Sequence, residues 1–304
     1  DKTIDNSRTV IDDYPDSKYI DKAYLLIGIS SFYKKSYNMS INNLEKVIDL
    51  EDIDIRNEAT LWIAYSFLKQ KNIAQTEHYL DVLSKENLNK ENLYIYYTIK
   101  AEISELKGVL DESYQNYILA SRATSKNSRK IYIYRKLIKL AEESDDILSK
   151  VKYIELLIEN IEDTNKIKDL KIDWIEAKKK LGHYEDIIAE VDLSLGDPLF
   201  LFIEPKLMIY KARSYKEGGN AILAIETLDE ITSKFSKKNE TSEAYYILAS
   251  ISIFDDFNLE KAKEYLDKSI DEKSRSDFGK KAKGLKGKIN AYEDLQDDYY
   301  FFSE

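Results

Sequence analysis

Small residues recur along this chain at an almost constant interval, and that interval constrains the fold more than any value of composition. Gly28, Ala64, Ala101, Ala212 and Ser250 each stand nine residues before a further apolar segment, and Ile138 and Ile175 occupy the same register. With Gly287 added, successive members are 36, 37, 37, 37, 37, 38 and 37 residues apart. The stretch "YPDSKYIDKAYLLIG" (residues 14–28) is therefore one copy of a unit. Each unit reads as two antiparallel helices, A and B. In the sixth, Pro205 suits the first turn of helix A, where its missing N–H has no intrahelical partner. "KLGH" (180–183) and "KEGGN" (216–220) suit the A-to-B turn, because glycine tolerates the backbone that ends a helix. Ala224, Leu228 and Ile231, and later Ala262, Leu266 and Ile270, carry the helical spacing of B. The small position lets A and B approach closely.

Two such helices cannot bury their apolar faces alone. Stacked pairs can, at ~1.5–3 kcal/mol per fully buried large aliphatic side chain, so units of this kind come in arrays. The predicted fold is all-α, a solenoid of about seven helical hairpins over residues 16–290, with units starting near 16, 54, 91, 128, 165, 202 and 240. Residues 1–15 are expected to end a preceding repeat, 275–296 to form a capping helix, and 297–304 ("DDYYFFSE") an aromatic tail. The chain opens at Asp1 inside an apparent helix, so the natural N-terminus is expected upstream.

Composition narrows the function. Only 9 Gly and 3 Pro are too few turn-formers for an all-β chain or a Gly-rich nucleotide fold. The 24 Tyr lie inside the periodic segments, as packing residues with a buried ring and a hydroxyl toward water. A net charge of −10 argues against nucleic acid as a partner. The absence of Cys excludes disulfide, zinc-thiolate and thiol chemistry. His78 and His183 are too far apart in sequence to suggest a metal centre, and neither has a nucleophile motif beside it. Acidic pairs such as Asp145–Asp146 and Asp255–Asp256 fall at turns, where carboxylates are solvated. The longest apolar run, "LFLFIEPKLMIY" (199–210), is cut by Glu204 and Lys206, so any membrane attachment would need a missing N-terminal anchor. "GKKAKGLKGK" (279–288) lacks the ending of a phosphate loop and reads as the solvent face of the last helix. No catalysis, cofactor, metal or small-molecule substrate is expected.

"LMIYKARSYKEGGNAILAIETLDEI" (207–231) resembles a tetratricopeptide unit, with Ala212, Tyr215, Gly219, Ala224 and Leu228 at its pattern positions. The first and seventh units resemble it well, and units three to five drift. Tyr14, Pro15, Ser17, Asp21, Ala23 and Gly28 also resemble bacterial envelope tetratricopeptide proteins. Those include the lipoprotein of the outer-membrane β-barrel assembly machinery and the coordinator of the Tol–Pal system. The resemblance implies a right-handed α-α superhelix whose concave A-helix face binds partner proteins or peptides. It also implies a scaffold of the cell envelope, on its periplasmic side. Two alternatives stay open: a cytoplasmic peptide-sensing regulator, and the interaction region of a larger multidomain protein.

In register, the residue after the small position is Ile29, Tyr65, Glu102, Lys139, Glu176, Arg213, Ile251 and Lys288. One turn along the same face stand Phe32, Leu68, Glu105, Glu142, Lys179, Lys216 and Phe254. The ends are apolar and the centre is charged. The candidate groove is Tyr65, Glu102, Glu105, Arg135, Lys139, Glu142, Glu176, Lys179, Arg213 and Lys216. Two readings compete: a ladder of inter-repeat ion pairs that fixes stacking, and a face that grips a peptide.

Overall fold

The computed structural model describes the backbone of residues 2–303 and the side chains of residues 2–296. The aromatic residues expected at 297–304 therefore lie outside the described side chains. Among the described residues there are helices and no strand. The chain divides into two compact units, residues 1–161 and 162–304.

The first unit holds α1 (Lys2–Asp13) and then four hairpins: α2 (Ile20–Tyr33) with α3 (Tyr37–Leu44), α4 (Ile53–Lys69) with α5 (Ile73–Asp81), α6 (Lys90–Lys107) with α7 (Leu110–Ala123), and α8 (Asn127–Glu143) with α9 (Ile147–Ile158). The second holds three hairpins and a long last helix: α10 (Thr164–Lys180) with α11 (Tyr184–Ser194), α12 (Glu204–Glu217) with α13 (Ala221–Lys234), α14 (Asn239–Phe254) with α15 (Leu259–Lys273), and α16 (Asp277–Ser303). Within each unit the hairpins stack in chain order. A helices touch A helices, α2 against α4 and α4 against α6 in the first unit, α12 against α14 and α14 against α16 in the second. No described helix is long and apolar enough to cross a membrane.

The A-to-B turn explains the regularity. Each holds one residue in the left-handed region: Lys35, Lys71, Gly108, Asp145, Gly182, Gly219 and Phe257, at the spacing of the small residues. In the first six the backbone closes the same pair of bonds. Lys35 N–H donates to Phe32 O and Ser36 N–H to Ser31 O, and the pattern repeats at 71/72, 108/109, 145/146, 182/183 and 219/220. These are the two bonds of a Schellman stop. The next residue then opens helix B at once: Asn72, Asp146 and Asn220 each accept from the N–H three residues on. One dipeptide thus ends one helix and caps the next.

The small position does what its size allows. Gly28 is buried, and a Cβ there would lie 2.4 Å from Cγ of Leu44 on α3, itself fully buried. Pro205 is in the first turn of α12. Before it, Pro198–Ile203 forms a 3-10 segment within the apolar run, which anchors Phe200 in the core while Phe202 stays exposed.

Candidate functional site

The A helices of the first unit carry a network centred on two carboxylates. Glu102 of α6 is 8% exposed. Its Oε1 accepts from the Tyr65 hydroxyl of α4 at 2.5 Å and the Tyr132 hydroxyl of α8 at 2.7 Å, and its Oε2 from Lys69 Nζ at 2.5 Å. One turn on, Glu105 Oε2 accepts from the Tyr117 hydroxyl of α7 at 2.6 Å and from Lys136 Nζ of α8 at 2.8 Å. Three successive hairpins are thereby tied through one buried carboxylate. The second unit repeats the theme. The Tyr210 hydroxyl donates to Glu176 Oε1 at 2.6 Å, and Arg213 Nη2 lies 2.6 Å from Glu243 Oε1. The Arg213 guanidinium also stands 5.8 Å from the Phe278 ring centre, with Lys281 on that ring at 4.6 Å.

Burial, reinforced by the adjacent carboxylates, pushes the phenols of Tyr65, Tyr117, Tyr132 and Tyr210 well above the ordinary tyrosine range. All four therefore stay neutral and act as donors. Burial also raises the Glu243 carboxyl, against the opposing pull of Arg213. A hydrogen bond and charge attraction from Glu143 raise the Lys139 ammonium.

Of the ten predicted groove residues, the structure joins Tyr65 directly to Glu102 and brings Lys139 to 4.0 Å from Glu105. The expected ladder differs in its pairing. Glu102 takes Lys69 from the preceding A helix and not Lys139, whose ammonium lies 3.1 Å from Glu143 on its own helix. Glu142 pairs with Lys150 of the same hairpin at 2.6 Å. Glu176 bonds Tyr210, and Arg213 turns instead to Glu243 on the following A helix. These spacings fall short of the repeat: Lys69–Glu102, Glu176–Tyr210 and Arg213–Glu243 are 33, 34 and 30 residues apart, while Tyr65–Glu102 keeps the 37-residue spacing. Arg135 is exposed and Lys179 and Lys216 are half-buried; none of the three has an ion pair among the described residues.

Several participants were not singled out from sequence. Lys69, Lys136 and Tyr210 lie three or four residues from predicted positions on the same helices, so helical spacing was a usable signal. Tyr117 sits on a B helix and carries no such signal.

The chemistry otherwise available is modest. A cavity of about 640 Å³ in the second unit is lined by His183, Asp186 and Ser214 among others. Yet His183 Nδ1 is 3.7 Å from Asp186 Oδ2, which already pairs with Lys178 at 2.7 Å. No hydrogen bond joins His183 to Ser214, so the nucleophile–base contact of a triad is not formed. Among the described residues no group of three His, Asp or Glu converges to hold a metal ion.

No protein-family model matches the chain, and no curated protein matches it. Among solved structures it is similar to a signal-transduction ATPase with numerous domains and a tetratricopeptide repeat sensor from Pyrococcus horikoshii, with 16% identity, a TM-score of 0.46, and coverage of 94% of this chain and 48% of that one. It is similar to the C-terminal part of a TPR repeat-containing protein from Cytophaga hutchinsonii, at 14% identity and TM-score 0.45 over 84% and 97% of the two chains. A tetratricopeptide repeat protein from Parabacteroides merdae follows at 10% and 0.39, over 88% and 98%. The chain spans about half the length of the Pyrococcus protein.

Proposed function

We propose that this chain is a non-catalytic tetratricopeptide-type scaffold that binds a partner protein or peptide along its A-helix faces. The observation that carries this reading is the incomplete use of charge on those faces. A stacking ladder accounts for Glu102, Glu105 and Glu176, each engaged by a tyrosine hydroxyl. It does not account for Arg135, Lys179 and Lys216, which stand on A helices without an ion pair among the described residues. Lys139 keeps 59% of its side chain exposed. Within each unit, cations presented on tyrosine-braced A helices can set the register of an extended ligand. The Tyr14–Gly28 stretch supports the narrower reading, a bacterial envelope protein working on the periplasmic side.

Affinity capture with the immobilised chain tests the function, run beside the same chain carrying Lys139→Glu and Arg213→Glu. The expected result is a protein partner lost with both reversals while the helical circular-dichroism signal is kept; because Arg213 also pairs with Glu243 at 2.6 Å, Lys139→Glu with Lys216→Glu, which breaks no pair to Glu243, should lose the same partner. Retention of the same partner by either double variant, or capture of nucleic acid alone, overturns the proposal.

A further inference from the structure

One face of α16 is built for a close approach that no described helix makes. The helix packs on α14 and α15 through Ala282, Leu285 and Ile289. Lys280, Lys283, Gly284, Gly287, Ala291 and Asp294 recur at three- and four-residue steps along its other side, and all six are exposed. Glycine inside a helix needs a reason, because it is the poorest helix former after proline. At Gly279 the chain supplies one: a Cβ there would run into the Lys273 carbonyl oxygen. At Gly28 the reason is Leu44 of the neighbouring helix B. Gly287 holds the same register position as Gly28, yet a Cβ at Gly284 or Gly287 would meet nothing within 4 Å.

The charges of this face are divided along the helix. Lys280 and Lys283 precede the two glycines and Asp294 follows them, and none of the three has an ion pair among the described residues. Charges on the flanks are already used: Lys286 pairs with Asp267 at 2.6 Å, and Glu293 with Lys263 at 2.9 Å. Cations at one end, small residues in the middle and an anion at the other end make a surface complementary to itself when turned end for end. Set two copies of α16 antiparallel about a two-fold axis at the level of Ile289. Gly287 of each copy then faces Ala291 of the other, and Asp294 of each lies opposite Gly284, between Lys280 and Lys283 of the other. Without side chains at the glycines the backbones can close to about 8 Å, the short end of helix-pair separations, within reach of lysine for the short aspartate. Tyr292, 52% exposed, and Leu295, 69% exposed, lie beside this stretch and add apolar area.

We propose that this face of α16 is a self-association surface, on which two copies of the chain pair their α16 helices antiparallel across Gly284, Gly287 and Ala291. Asp294 of each copy is held by Lys280 and Lys283 of the other. The inference stands apart from the partner-binding reading above. One helix pair is a small interface, so the dimer comes apart on dilution.

Sedimentation velocity across a dilution series is the test. The wild-type chain should pass from dimer to monomer on dilution, and added salt should shift it toward monomer. Asp294→Lys, and separately Lys280→Asp with Lys283→Asp, should each weaken the dimer at least about tenfold, since either change sets like charges against each other. Mixing those two variants should restore association as a heterodimer, a result that a misfolded variant cannot give. Gly287→Leu should also lose the dimer. At concentrations where the wild type is monomeric, its melting temperature should equal or exceed that of the wild type, because leucine is the better helix former. A wild-type chain that stays monomeric throughout, charge variants that dimerise like wild type, or a mixture that fails to associate overturns the proposal. A dimer kept by those variants but lost on removal of residues 297–304 overturns it too and moves association to the aromatic tail.

Discussion

Replacing Glu102 by leucine is the perturbation for which the structure makes the sharpest statement about stability. The side chain accepts two tyrosine hydroxyls and one ammonium. Leucine keeps most of the volume and removes every acceptor. Lys69, 31% exposed, can turn to water; the Tyr65 and Tyr132 hydroxyls are held in the interior of the face. Stranding a buried hydroxyl costs about 1–3 kcal/mol, and both rings are only partly buried, so the loss should be about 2–4 kcal/mol. At a urea slope of about 2–3 kcal/mol/M this moves the midpoint of the first unit by about 1 M. Trp62 reports that unit when Trp174 is replaced by phenylalanine, and its fluorescence in urea is the assay. The triple variant Glu102→Leu, Tyr65→Phe, Tyr132→Phe removes donors and acceptor together and should recover most of the loss, because an apolar replacement of all partners is close to neutral. A triple variant as unstable as Glu102→Leu, or a single variant within about 0.5 kcal/mol of wild type, would refute the reasoning.

Three further outcomes follow from local geometry. Gly28→Ala should cost about 1–2 kcal/mol, the crowding of Leu44 outweighing the better helix propensity of alanine, and should become harmless in a Leu44→Ala background; additive losses in denaturant melts would contradict this. Lys71→Gly should raise stability by up to about 1 kcal/mol, since Lys71 holds φ at 61° on an exposed turn, and a lower melting temperature would count against it. Glu58→Gln should raise the melting temperature at pH 7. The folded-state carboxyl of Glu58 is raised, so its contribution is favourable below the unfolded value and lost as pH rises through the folded one. The difference between variant and wild type should therefore vanish near about pH 4, and a difference independent of pH refutes the assignment.

The helical hairpins were legible because one small residue per unit keeps register: Gly28 marks a close approach that only glycine permits against Leu44. Glycine also announced the turns at Gly182 and Gly219. Asp145 is of a type that tolerates the left-handed region, whereas Lys35, Lys71 and Phe257 adopt the same conformation with nothing in their chemistry to advertise it. There the surrounding helices impose the turn and the residue accepts the strain. The charged A-helix face was legible as a pattern, whereas its pairing was not. Sequence register aligns Glu102 with Lys139 and Glu176 with Arg213, while the folded A helices bring Lys69 to Glu102 and Glu243 to Arg213, partners 33 and 30 residues apart. The tyrosines were read as packing residues, and burial beside carboxylates turns four of them into hydrogen-bond donors that hold those carboxylates.

On this proposal the A-helix faces, and not the B-helix faces, meet the partner. Photo-cross-linking tests it directly, with benzoylphenylalanine placed at Lys139 and Lys216 on A helices and at Lys152 and Glu226 on B helices, all chosen outside the cores. One and the same polypeptide should be cross-linked from the two A-helix positions and from neither B-helix position. Cross-links confined to Lys152 or Glu226 would contradict it.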